Sequence, residues 1–193
     1  MSNGGEFSSE KNKLFINSSG TYTLDVTSPI YLNFGSSQSS NWGDYDNDGD
    51  LDLFVANLSG ENNFFYINNG NLNFTLSPPI SLNTDGHNSN DANWVDYDGD
   101  GDLDLFVANQ SNERNLLYEN INGVFSEITN GPIVNNFNSS YGSCWGDYDN
   151  DGDLDLYVCN SSNQKNSLYS NEGNSNFKKV ITGQIVTDNG NSY

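Results

Sequence analysis

The 193-residue sequence predicts an all-β fold of four-stranded antiparallel blades, with three full blades and a half blade of a partial or open propeller. Three observations predict it. An acidic run, D-x-D-x-D-G-D-L-D, occurs three times, each time shortly after a tryptophan. A weaker apolar motif ending in asparagine alternates with it. Both motifs keep one register at a period of about 50 residues, which suits a propeller blade and is too long for a β-solenoid coil.

The first motif reads W-G-D-Y-D-N-D-G-D-L-D-L-F-V-A-N at 42–57, W-V-D-Y-D-G-D-G-D-L-D-L-F-V-A-N at 94–109 and W-G-D-Y-D-N-D-G-D-L-D-L-Y-V-C-N at 145–160. The second reads L-F-I-N at 14–17, F-Y-I-N at 65–68, L-Y-E-N at 117–120 and L-Y-S-N at 168–171. A polar, mostly glycine-bearing turn follows each copy, and then an aromatic residue: Tyr22, Phe74, Phe125 or Phe177.

One repeat reads as four short strands. In the first full copy, a strand at 39–45 runs through Trp42, and the acidic loop reverses the chain into a second strand at 51–57. Residues 58–62 form a polar turn, and 63–68 and 72–76 make a hairpin across Asn69-Gly70-Asn71. Asn and Gly supply the positive φ angles that tight hairpin turns require. The second strand is apolar on both faces through Leu53, Phe54, Val55 and Ala56, as expected of a sheet covered on either side. No apolar 3.6-residue period is long enough for a helix. The register divides the chain into a half blade at 12–37, blades at 38–89, 90–140 and 141–187, and the start of an interrupted blade at 188–193. It reads as a fragment of a longer repeat protein, with an open arc or a ring completed by two chains as alternatives.

Charge narrows the function classes. Twenty-six acidic residues against 6 basic ones give a net charge of −20, which repels nucleic acid and anionic lipid and attracts cations. A disordered acidic tail is excluded because 13% of the residues are aromatic and the acids cluster between apolar strands. No segment approaches a membrane-spanning helix. The first residues, Met1 to Glu6, lack signal-peptide regions, which carries no weight for a fragment.

The acidic runs have the chemistry of calcium loops. Calcium takes six to eight oxygen ligands in flexible geometry, so several carboxylates on one tight loop suit it. In the first loop Asp44, Asp46 and Asp48 alternate, Gly49 permits the turn, Asp50 offers its carbonyl and Asp52 closes the cage. The second loop supplies Asp96, Asp98, Asp100, Asp102 and Asp104 around Gly101; the third supplies Asp147, Asp149, Asp151, Asp153 and Asp155 around Gly152. An EF-hand needs a glutamate at loop position twelve, where this chain has Val55, Val107 and Val158 inside strands. The cage therefore closes at position nine. Magnesium retains water and seldom uses a dedicated carboxylate cage. A filled cage leaves no carboxylate for acid–base work, and no G-x-S-x-G, phosphate loop or zinc spacing is present, so no enzymatic activity is expected.

The run W-G-D-Y-D-N-D-G-D-L-D-L, followed by L-Y-x-N and an aromatic strand, resembles FG-GAP/VCBS-type repeats of bacterial surface proteins and, more distantly, integrin α-subunit blades. That resemblance covers nearly the whole chain. It implies a β-propeller, commonly of about seven blades, with calcium between the first two strands of a blade and roles in adhesion or ligand binding outside the cell. Carried over by position, the aspartates at loop positions one, three, five and nine are side-chain ligands, and position seven gives a carbonyl.

The expected function is a calcium-binding scaffold of a secreted or cell-surface protein, with three calcium ions and an extracellular protein or glycan as ligand. A carbohydrate-binding module, the propeller of a polysaccharide-degrading enzyme, and a spacer of an adhesin are the alternatives. Self-association through open blade faces is a further expectation; nucleic acid binding and membrane insertion are not expected. Cys144 and Cys159 flank the third loop and read equally as a disulfide or as two thiols. Trp42, Trp94 and Trp145 read as inter-blade packing before sugar binding, and the lone His87 as a surface residue. The variable segments 81–90 and 135–141 are where a ligand would be sought.

Overall fold

Strand β6 (Asp52–Asn57) is buried along its whole length, and it organises the blade around it in the computed structural model, which describes residues 10–84 and 86–187. It pairs antiparallel with β5 (Ser37–Gly43) on one side and β7 (Phe64–Asn68) on the other, and β8 (Phe74–Leu76) completes the sheet. The second sheet repeats this order with β9 (Ser89–Val95), β10 (Asp104–Asn109), β11 (Leu116–Ile121) and β12 (Val124–Glu127). The third does so with β13 (Ser140–Gly146), β14 (Asp155–Asn160), β15 (Ser167–Asn171) and β16 (Phe177–Val180). Ahead of them lie a two-stranded sheet of β1 (Glu10–Lys11) with β4 (Phe34–Gly35) and a hairpin of β2 (Leu14–Ser18) with β3 (Thr21–Asp25). The fold is all-β, and its four-stranded sheets stack as propeller-like blades without closing a barrel. The expected blade start at 188–193 lies outside the described residues.

Side-chain alternation along the second strand explains the stacking. Phe54 and Ala56 leave one face of β6 and meet Leu105, Val107, Leu116 and Tyr118 of the next sheet. Phe106 and Ala108 then leave the far face of β10 and meet Leu156, Val158 and Tyr169. A large and a small residue on one sheet thus face a Leu–Val pair on its neighbour. Each fully buried Phe or Leu contributes roughly 1.5–3 kcal/mol. Two of the three tryptophans complete the junctions, as expected, whereas Trp42 is half exposed. Trp94 packs on Phe54, Phe65 and Phe125 with centroids 5.9–6.4 Å apart, and its Nε1 donates to the Asn41 carbonyl at 3.2 Å. Trp145 packs on Phe106, Tyr97 and Phe177.

The two junctions differ where the tryptophan meets the preceding strand. A Cβ on Gly43 would lie 2.6 Å from the Trp94 ring, so glycine there lets the indole sit against the strand. Val95 occupies the matching place in the second blade, and Trp145 Nε1 is buried with no hydrogen-bond partner among the described residues.

Three expectations shift. The first strand runs Ser37–Gly43 and not 39–45, because residues 44 and 45 already belong to the acidic loop. The fourth strand begins at Phe74, not at 72, because Asn71 and Leu72 take positive φ angles (55° and 61°) and extend the turn. Short helical turns also appear where none was expected: α1 (Pro29–Leu32), a 3₁₀ turn at Ser81–Asn83 and α2 (Gln184–Thr187). They belong to a third recurring segment, P-I-Y-L at 29–32, P-I-S-L at 79–82, P-I-V-N at 132–135 and Q-I-V-T at 184–187, which links consecutive blades. From it Ile30 packs on the first sheet, Leu82 in the first junction and Ile133 with Val134 in the second. Its signal is one or two apolar residues per copy, too few for a period.

Candidate metal centre

Each acidic loop joins the first and second strands of a sheet, and its shape follows from two left-handed residues. Loop positions four and six have φ of 58° and 91° at Asn47 and Gly49, 77° and 96° at Gly99 and Gly101, and 64° and 99° at Asn150 and Gly152. Only Gly and Asn adopt such angles at little cost. The kinks turn amides inward onto the position-one carboxylate. Asp44 accepts from the Asp48 and Gly49 amides at 3.0 Å each, and Asp147 accepts from Asp151 and Gly152 at 3.1 Å each. Asp96 accepts from Gly99 at 2.8 Å and Gly101 at 3.2 Å. At position five, Asp48, Asp100 and Asp151 accept the amide two residues on at 2.9–3.0 Å.

Position nine opens the second strand and is buried in all three blades. Asp104 accepts the Tyr97 amide at 3.2 Å with one oxygen and the Asn120 amide at 2.8 Å with the other. Asp52 does the same with Tyr45 and Asn68, and Asp155 with Tyr148 and Asn171. One carboxylate therefore fastens the loop to the third strand, and each oxygen keeps a lone pair. Burial raises Asp52 to about 6 and Asp104 to about 7, with nearby carboxylates adding to the rise and the donated amides opposing it. Asp46, Asp98 and Asp149 are also raised, by desolvation first and then by their acidic neighbours.

The geometry gathers carboxylates into three groups. Asp44, Asp46 and Asp48 present oxygens within 4.8 Å of one another, as do Asp96, Asp98 and Asp104, and Asp147, Asp149 and Asp155. Two ligands of one calcium ion at 2.3–2.6 Å can be no more than about 5 Å apart, so each group fits around a single ion. The donors are all hard oxygens, which suits calcium over a transition metal. Asp52, Asp100 and Asp151 stand outside these three-residue sets.

The position-seven side chains point elsewhere. Asp102 accepts the Asn122 amide at 2.7 Å and the Asn47 side-chain amide at 2.9 Å. Asp50 and Asp153 carry an oxygen 3.3 Å and 3.5 Å from where a Cβ on Gly70 and Gly173 would stand, at the tips of the β7–β8 and β15–β16 hairpins. At Asp102, where the side chain is so engaged, the backbone carbonyl is what this position has for an ion.

A model of the FG-GAP-like repeat matches residues 44–107 and again 96–158. The chain belongs to the FG-GAP-like repeat family. Each matched FG-GAP-like unit begins at the first aspartate of one loop and ends in the second strand of the next blade, so it spans a junction. No curated protein matches the chain.

Some residues of these FG-GAP-like blades have roles the sequence did not disclose. Asn68, Asn120 and Asn171 close the second motif, and their side chains donate to Leu51, Leu103 and Leu154 carbonyls beside the loops. Glu113 accepts from the Asn88 amide and side chain and meets His87 Nδ1 at 3.1 Å, which ties His87 to the blade edge. Asn136 and Ser139, in the second variable segment, bond Tyr169 and Gln164. Cys144 and Cys159 are free thiols on one face of the third sheet, diagonal and not directly opposed: Cys144 faces Tyr157 and Cys159 faces Gly142.

Proposed function

We propose that this FG-GAP-like segment is a calcium-stabilised, non-catalytic scaffold of a secreted or surface protein that serves adhesion or ligand presentation. One observation carries it: three loops of the same design each hold three carboxylates close enough for one hard cation, inside a chain of net charge −20. The side chains at positions one, three, five and nine, with the position-seven carbonyl, would hold the ion. Calcium supplies charge neutralisation and a fixed cross-link between the first two strands; it does no chemistry on a substrate. The position-nine carboxylates, held by two amides each, carry that constraint into the third strand. Calorimetric titration of the chelator-treated chain with calcium should give three ions per chain; no heat and no stoichiometric binding would refute the reading.

A glycan as ligand is favoured by one feature. Trp42 is 43% exposed, whereas Trp94 and Trp145 are packed, and it lines a cleft of about 350 Å³ with Asn12, Lys13 and Ser40. A glycan array with Trp42→Ala as control tests this; binding that survives the substitution places the glycan elsewhere.

A further inference from the structure

Loop position four is Asn47 in the first blade, Gly99 in the second and Asn150 in the third. Asn47 lies between the cage residues Asp46 and Asp48, yet its side chain leaves its own loop and donates to Asp102 Oδ1 of the next blade at 2.9 Å. Asp102 is position seven of the second loop, and its other oxygen accepts the Asn122 amide at 2.7 Å. A residue held inside the first acidic loop is therefore bonded to position seven of the next, whose carbonyl would serve the second cation. The hairpin turn at Gly123 closes over the same place: a Cβ there would lie 3.9 Å from Asp46 Cβ and from the Tyr45 ring. At the following junction Gly99, also left-handed with φ of 77° against 58° at Asn47, has no side chain to send to Asp153.

We propose that Asn47 couples the first two cation loops, so that filling either strengthens the other through a contact that the second and third loops lack. The inference rests on cation binding by the loops and adds to it a reciprocal coupling that is stronger for one pair of loops than for the other. Filling the first loop fixes Asp46 and Asp48, and with them the intervening Asn47. Its side chain then holds Asp102 in place. The equivalent path from the second loop to the third ends at Gly99. Asn47 is thus a positioning residue for the second site, with no contact to the ion there.

The test is a calcium titration of the full chain in three forms, read by calorimetry and by amide hydrogen exchange at 100–104 and 151–155. Substituting Asn47→Gly keeps the left-handed angle and should leave three ions per chain. It should weaken the second site about threefold to tenfold, in keeping with the loss of one hydrogen bond. It should also make exchange at 100–104 less sensitive to filling of the first loop, the Tyr45–Asn120 contact being left in place. The reverse change, Gly99→Asn, has no atom within 4 Å of its new Cβ and should strengthen the third site by a similar factor. Three ions bound with both variants indistinguishable from the parent chain would overturn the coupling and leave the calcium reading intact. Absence of calcium binding in the parent chain would defeat both.

Discussion

The Asn120 side-chain amide donates to the Tyr45 carbonyl at 2.7 Å, across the junction between the first and second blades. Asn171 repeats the contact with Tyr97 at 3.2 Å across the second junction. Tyr45 and Tyr97 are the second residues of their acidic loops, so each loop is fastened both to its own blade and to the blade that follows. Asn68 makes the contact within its blade, to the Leu51 carbonyl, but no described bond joins it to a preceding loop. A cation that orders one loop therefore acts on a blade junction as well as on a hairpin.

Asn120→Ala should cost more than Asn68→Ala. Both lose the bond to the loop carbonyl within the blade, but only Asn120 also leaves the Tyr45 carbonyl without its donor. Each lost partner of a buried group costs about 1–3 kcal/mol, so the difference should be on the order of 1 kcal/mol. Urea unfolding of the two variants, measured side by side, reads it; equal losses would show that the cross-blade bond contributes nothing.

Gly43→Ala and Gly146→Ala separate packing between blades from local backbone effects. The new Cβ at Gly43 meets the Trp94 ring at 2.6 Å, whereas one at Gly146 meets nothing within 4 Å. Overpacking of a filled site costs about 1–3 kcal/mol. Thermal melts should show a loss of that size for the first and little change for the second.

Within a loop, aspartates should divide by where their side chains point. Asp104→Asn removes a carboxylate from the second group and should abolish one of three calcium sites. Asp102→Asn alters a side chain outside that group and should keep all three, with weakened affinity at the second. Calorimetric stoichiometry distinguishes them; loss of a site in both would place the position-seven carboxylate in the cage.

The acidity of the position-nine residues gives a pH prediction. Asp52 and Asp104 titrate near 6 and 7 in the folded calcium-free chain, above the ordinary 3.8. The folded state thus holds protons that the unfolded state has released between about pH 4 and 7, and stability from these groups falls as pH rises through that window. Calcium requires the ionised form and compensates most where the proton has left. The gain in melting temperature on adding calcium should be larger at pH 7.5 than at pH 5; a gain that shrinks with rising pH would contradict these assignments.

Much of this was legible in the residues. The strand order, the junction role of Trp94 and Trp145 and the alternating carboxylates followed from two motifs that recur in register, since repetition fixes register more firmly than local propensity does. What escaped notice has physical reasons. The side chains of Asn68, Asn120 and Asn171 act on residues 17 positions away or in another blade, which no local pattern encodes. The linker residues Ile30, Leu82, Ile133 and Val134 are too sparse to show a period. The outward turn of Asp102 depends on Asn47 and Asn122, one of which lies in a different blade. Cys144 and Cys159 looked matched across the hairpin, but the register that starts with Gly146 opposite Asp155 sets Cys144 against Tyr157 and Cys159 against Gly142 and so leaves them diagonal.

The central claim is that cations in the three loops hold the blades together. Thermal unfolding of the chelator-treated chain, with and without saturating calcium, tests it most directly, followed by the fluorescence of Trp94 and Trp145 at the junctions. At about a hundredfold excess over Kd each filled site adds about 2.7 kcal/mol, so calcium should raise the melting temperature strongly and chelator should reverse the gain. A melt identical in calcium and in chelator would contradict the claim.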